Sequence, residues 1–337
     1  WKDVPVGVAR EYGQTAVLEL REAAPPPIDE LELWRGSQRL DTMTELQQPL
    51  REVPTEPSLF SEQLSYDPPS PEDPGAPGPY ETERIEYSEG SFFWHEYPIP
   101  IEVEAEVTVP IGVGGKRPVV VILHGYHPTC SIGGPEGAVI VAWPCWPGWN
   151  PVPSHQGYRV IADLRASQGA FVVSVSANGI NGQEFLSFPT GGVDARSALI
   201  RHHLDLWDEW NESGGDPWGG RFFQAINTKK LALIGHSRGG EGIVRAAIDL
   251  SEHNTWKVRG IVPIAPTAYG LQVVPYIHTA VLLPNCDGDI VDLQGQHYVD
   301  GSRDFLLRSD QALRSSVLIE GANHSFFNSE WTPGQAS

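Results

Sequence analysis

The sequence predicts an α/β chain whose central sheet is mostly parallel and covered by helices on both faces. Three observations carry that expectation. Runs such as "PVVVILHG" (118–125) and "AFVVSVSANG" (170–179) are apolar and β-branched without alternation, as expected of strands buried on both faces. Helical patterns lie between most of these runs, the arrangement of strand–helix–strand units. The first ninety residues have a different composition, rich in Pro and acidic side chains.

Taken in order, "REAAPPPIDE" and "YDPPSPEDPGAPGPYE" read as extended linker. Between them "TAVLELRE" and "ELELWRGSQRL" suit short strands or turns. Residues 1–91 are therefore expected to form a Pro-rich arm or small β element, and 92–337 the main domain. No internal repeat is present. "IEVEAEVTVP" (101–110) alternates apolar and acidic residues, which predicts a half-solvated strand. "GYRVIADLRASQG" reads as a helix closed by Gly169. "VDARSALIRHHLDLWDEW" places Val193, Ile200, Leu204 and Trp207 at helical spacing. "KKLALIGHS" is a strand and "GGEGIVRAAIDLSEH" a helix, and "RGIVPIAP", "TAVLLPN" and "SSVLIEG" are three further short apolar runs.

Composition narrows the possible partners. The chain has 337 residues and a formal net charge of −20. That charge argues against nucleic acid and anionic membrane surfaces, whose phosphates would be repelled. No apolar run is long enough for a membrane span. The chain opens on Trp1 without a basic-then-apolar leader, so a mature or trimmed product is expected. Cys130, Cys145 and Cys286 are an odd number. The first two bracket the loop "CSIGGPEGAVIVAWPC", where a disulfide would restrain the loop and suit an exported protein; two unpaired buried thiols are the alternative.

The chemistry centres on Gly235-His236-Ser237-Arg238-Gly239, a G-x-S-x-G run between a strand and a helix. Small neighbours let the helix fold back over the strand and lift the Ser237 hydroxyl above the sheet edge. The same turn aims the Arg238 N–H and the helix N-terminus at one spot, where negative charge is stabilised. A serine needs a base. His324 in "LIEGANHSFF" follows the last strand and suits that role better than His278 or His297, which do not. The base needs an acid to hold its tautomer. "CDGDIVD" after the penultimate strand offers Asp287, Asp289 and Asp292; Asp289 is the first choice and Asp287 the second. The same loop lacks the remaining ligands of a twelve-residue Ca²⁺ motif. The second oxyanion donor is expected from the Tyr126 N–H in "HGYH", where Gly125 allows close approach. His124 and His127 have metal-like spacing there, but no companion completes a zinc set. Tyr126, Trp143, Trp146 and Trp149 are expected to line the substrate pocket, unless the Trp rings serve to pin their own loop to the core.

With "HGYH", "GHSRGGEG", "CDGDIVD" and "GANH" in this order, the chain resembles the α/β-hydrolase superfamily, over roughly residues 92–330. "GHSRGG" is most similar to its chlorophyllase, dienelactone-hydrolase-like and polyester-hydrolase branch, often secreted in bacteria. The resemblance implies the α/β-hydrolase fold, a Ser237–Asp289–His324 triad, no cofactor or metal, and a small or polymeric carboxylic ester as substrate. Arg238 and Glu241 beside the turn, and no large apolar lid insertion, point away from long-chain triglycerides. A peptidase or amidase on the same fold ranks lower, because about ninety N-terminal residues are too few for a propeller. A secreted binding module with a vestigial triad is the non-enzymatic alternative.

Overall fold

The computed structural model describes residues 73–331, apart from 134–136, 189, 216, 253–254 and 306–309, and four short strands between residues 10 and 39. The chain divides into two units, Trp1–Ser70 and Pro71–Ser337. In the first, Arg10–Tyr12 pairs antiparallel with Thr15–Val17, and Trp34–Arg35 with Gln38–Arg39. The Pro-rich stretch at 21–30, and that at 66–81 as far as residue 72, lie outside the described residues.

The second unit is built on one eight-stranded sheet. Its strands are β1 (Thr82–Phe92), β2 (Ile101–Pro110), β3 (Arg117–Leu123), β4 (Phe171–Val175), β5 (Ile226–His236), β6 (Val258–Ile264), β7 (His278–Pro284) and β8 (Arg314–Ile319). Their spatial order is β1-β2-β4-β3-β5-β6-β7-β8. Only β2 runs against the rest. The helices are α1 (Arg159–Ser167), the single turn α2 (Asn178–Asn181), α3 (Val193–Ser213), α4 (Arg238–Ser251) and α5 (His297–Phe305).

Two of the expected boundaries change. Thr82–Phe92 belongs to the sheet, so the expected division at residue 91/92 falls at the end of β1. The alternating turn-rich composition before residue 92 hid this strand, because its exposed edge position lets most of its side chains stay polar. Nor is β2 half-solvated: nearly every residue in it is buried, because α1 and α2 pack over it. Its acids are paired rather than hydrated. Glu106 receives Arg159 Nε at 2.9 and 3.0 Å on its two oxygens. Glu102 accepts hydrogen bonds from the Ser176 hydroxyl (2.7 Å) and from the N–H groups of Asn178 (2.6 Å) and Gly179 (2.8 Å). Burial pushes the Glu102 carboxyl up to about 7 despite those donors. A strand acid thereby holds the first turn of α2.

The strands alternate between two cores even though both faces are buried. Val119, Val121 and Leu123 of β3 pack with Leu199, Leu204 and Trp207 of α3 and Ile243 of α4. Val120 and Ile122 pack with Tyr158 and with Ala162 and Ala166 of α1 on the other face. Each fully buried Val, Ile or Leu contributes about 1.5–3 kcal/mol relative to exposure. Coverage is unequal: beside α1 an open apolar groove of about 1130 Å³ runs over Ala232, Val262 and Leu282, edged by Ile161, Leu164 and Phe326.

Register decides where the loops emerge. Leu123 of β3 lies opposite Gly235 of β5, His236 opposite Ile264 of β6, and Pro284 of β7 opposite Ile319 of β8. These five parallel strand ends, β3 and β5 to β8, define one carboxyl edge, the usual place for a site in an open α/β sheet. Among the described residues no helix is long and apolar enough to cross a membrane.

Candidate active site

Ser237 sits between β5 and α4 with φ 57° and ψ −125°. A non-glycine residue held there costs on the order of 1–3 kcal/mol, which the surrounding packing must offset. The turn is closed by the Ser237 N–H donating to Ile264 O at 2.8 Å and by the Gly240 N–H donating to Ser237 O at 2.8 Å. The flanking glycines are required by space. A Cβ on Gly235 would lie 2.3 Å from Gly239 O, and one on Gly239 would lie 2.4 Å from Leu123 O. Arg238 opens α4, so its N–H has no intrahelical acceptor.

The loop after β3 comes directly against this turn. A Cβ on Gly125 would fall 2.5 Å from Ser237 Cβ and 3.1 Å from its Oγ. Gly125 O accepts hydrogen bonds from His124 Nδ1 (2.9 Å) and Asn181 Nδ2 (3.0 Å). His124 Nε2 accepts the Ala177 N–H at 2.8 Å, so both nitrogens of this buried ring are engaged within the protein. Burial pushes the His124 imidazole down to about 3, which keeps that neutral tautomer in place. His127 donates from Nδ1 to Pro128 O and stacks on Trp331 with ring centroids 4.7 Å apart. Both histidines of "HGYH" thus serve the fold, and among the described residues no group of three His, Cys, Asp or Glu side chains is placed to hold a metal.

His324 lies in a turn capped by Asn323, whose side chain accepts the N–H groups of Ser325 and Phe326 at 3.1 Å each. The carboxylate that pairs with His324 Nδ1 is Asp287, the second choice from the sequence, and not Asp289. His324 Nδ1 donates to Asp287 Oδ2 at 3.0 Å, and both side chains are buried. The other oxygen of Asp287 accepts the N–H groups of Asp289 (2.9 Å) and Ile290 (2.7 Å). Asp289 is about half exposed, and its Oδ2 stands 3.3 Å from His324 Nε2 as an ion-pair contact without hydrogen-bonding geometry, so Nε2 has no hydrogen-bond partner among the described residues. The physical reason is local. The first Asp after the strand caps its own turn, which turns its carboxylate inward and the second Asp outward. Burial alone would raise the Asp287 carboxyl, but the hydrogen bond and charge of His324 and the two backbone donors outweigh it and hold the group below its ordinary range.

Sequence reasoning missed His236. The G-x-S-x-G pattern gives its side chain no part; it is fully buried, and its Nε2 donates to His324 O at 2.9 Å. Its Nδ1 accepts the Tyr158 hydroxyl at 3.1 Å, and its ring lies 4.9 Å from that of His324. The position immediately before the serine was the available signal, because any side chain there must lie beneath the carboxyl edge.

The Arg238 guanidinium lies over the Tyr126 ring, 4.8 Å from its centroid, and pairs with Glu184. Glu241 is buried and accepts the Thr267 hydroxyl and the Gly270 N–H at 2.7 Å each, so it braces the loop after β6. Cys130 and Cys145 are joined in a disulfide, and Cys286 is free and exposed. The contacts of Trp143 run to Pro100, whose carbonyl accepts its indole N–H at 3.0 Å, and to Gly179 within α2 and Gly182 just after it. Trp146 is exposed and edge-on to Trp149. Of the four residues expected to line a pocket, Tyr126 is the one in contact with a residue adjoining Ser237.

No protein-family model matches the chain, and no curated protein is similar to it.

Proposed function

We propose that the chain is a serine hydrolase of the α/β-hydrolase superfamily that cleaves carboxylic esters through an acyl-enzyme. The observation that carries the reading is a strained serine at a strand-to-helix turn, with the neighbouring residue tied to a histidine whose Nδ1 donates to a buried aspartate. The chain order serine, acid, histidine and the single antiparallel strand in a parallel sheet support the family assignment.

In this reading Ser237 Oγ adds to the ester carbonyl carbon while its proton passes to His324 Nε2. Asp287 holds the ring in the tautomer that leaves Nε2 free and stabilises the imidazolium. The carbonyl electrons move onto oxygen, which the N–H groups of Tyr126 and Arg238 receive; one such donor contributes about 10²–10³ in rate. The alcohol leaves with the proton from His324. Water then repeats the sequence on the acyl-enzyme, giving its proton to His324 and releasing the acid. The Cys130–Cys145 disulfide supports an exported protein.

The deciding experiment pairs p-nitrophenyl acetate hydrolysis with fluorophosphonate labelling. Wild type is expected to turn over and to be labelled at Ser237, whereas a folded Ser237→Ala variant does neither. Undiminished turnover by that variant would refute the reading.

A further inference from the structure

We propose that Asn181, supported by Arg196 and Glu184, is a positioning residue for the oxyanion site; the proposal rests on the serine-hydrolase reading. A trans peptide is planar, so its C=O and N–H point in opposite directions. Gly125 O is held by Asn181 Nδ2 and His124 Nδ1, which fixes the plane of the Gly125–Tyr126 peptide. The Tyr126 N–H is thereby turned away from Asn181, and among the described residues it has no hydrogen-bond partner. The same peptide begins at the Gly125 Cα that abuts Ser237.

What holds Asn181 also reaches the side chain of the residue that carries the second donor. Its Oδ1 accepts Arg196 Nη2 at 2.5 Å. Arg196 is fully buried, and its Nη2 also pairs with Glu184 Oε2 at 2.9 Å, while Nη1 donates to Gly191 O at 2.6 Å. The other oxygen of Glu184 pairs with Arg238, the first residue of α4. One polar chain therefore runs from the Gly125 carbonyl through Asn181, Arg196 and Glu184 to Arg238. It links the Gly125–Tyr126 peptide to the side chain of Arg238, the residue whose N–H is the second donor in the proposed mechanism. An ion-pair set built on the buried Arg196 and Glu184 is weak evidence for stability, since apolar residues of similar volume often do as well. Its geometry instead serves placement: the donors must be set before the reaction, because rate comes from charge stabilisation that needs no rearrangement. Asn181 suits this by presenting a donor to Gly125 and an acceptor to Arg196 from one short side chain.

The test is Asn181→Asp, which keeps shape and the bond from Arg196 but places a carboxylate oxygen against Gly125 O. With p-nitrophenyl acetate, kcat is expected to fall about 30- to 300-fold with KM within about 3-fold, a loss approaching that of one removed oxyanion donor. The affinity for phenylboronic acid, which forms a tetrahedral adduct on serine, is expected to fall by a similar factor. A purely structural role would lower the melting temperature without this matched loss. Glu184→Gln provides the second variant should Asn181→Asp fail to fold, with an expected 3- to 30-fold loss of kcat and the same parallel in boronate affinity. A reactive wild type whose folded variants keep kcat within 3-fold, or lose kcat without losing boronate affinity, overturns this proposal alone. A wild type that neither hydrolyses esters nor takes a fluorophosphonate overturns the serine-hydrolase reading and this proposal together.

Discussion

His236 Nε2 donates to the carbonyl of His324 at 2.9 Å, so the residue preceding the candidate nucleophile holds the backbone of the candidate base. Two segments 88 residues apart are tied at the point where the proposed mechanism needs their side chains to cooperate. The bond is buried, and the Tyr158 hydroxyl satisfies the other ring nitrogen.

Removing that bond leaves a buried carbonyl unpaired, which costs about 1–3 kcal/mol. His236→Phe keeps a ring of similar shape and loses the donor. Its urea-unfolding free energy is expected to drop by about that amount and kcat by about 10- to 100-fold. A variant with wild-type kcat would mean that His324 is placed by its own turn.

The two aspartates give opposite expectations. Asp287→Asn presents an amide to Nδ1 and disturbs the tautomer, so kcat/KM is expected to fall about 10³- to 10⁴-fold. Asp289→Asn removes an exposed charge that makes no hydrogen bond to the ring and should change kcat/KM less than about 10-fold. Steady-state hydrolysis by both variants separates them; the reverse order would assign the acid to Asp289.

Gly125→Ala probes contact between the two loops. The added methyl would sit 2.5 Å from Ser237 Cβ and 2.9 Å from His236 O, both on a rigid turn. The expected outcome is a folded protein with kcat reduced at least about 100-fold and slow fluorophosphonate labelling. Normal labelling kinetics would show that the loop yields at little cost.

Stability is expected to depend on pH through histidines kept neutral by burial. Burial pushes His124 and His203 down to about 3, and His127 and His155 down to about 4. The unfolded chain protonates these rings near 6.5 and the folded chain does not, so stability is lost as pH falls from about 6.5 toward 4. The slope is at most about 1.4 kcal/mol per pH unit for each such ring. Asp287 acts in the same direction at lower pH: its stabilising contribution is present above the ordinary carboxylate pKa and is lost as pH falls through its depressed folded value. Urea midpoints from pH 7.5 to 4 measure this, and a flat profile between 7 and 4.5 would contradict the neutral buried state.

Periodicity and punctuation were legible in the sequence by themselves. The uninterrupted apolar runs marked β3 and β4 as strands buried on both faces, and the glycine-flanked Ser237 marked the turn from β5 into α4. These features depend on neighbours within a few residues, so a linear reading reaches them. The tertiary structure alone decided the rest. It buried Glu102 and Glu106 of β2, because α1 and α2 pack over that strand, and it paired Asp287 with His324, because capping by Asp287 turns one carboxylate inward and the next outward. It also set His236 beneath His324 and joined Asn181 to the Gly125 carbonyl across 56 residues. Contacts of that separation exist only once the register of parallel strands brings their carboxyl ends to one edge, and no local pattern encodes which polar groups then meet.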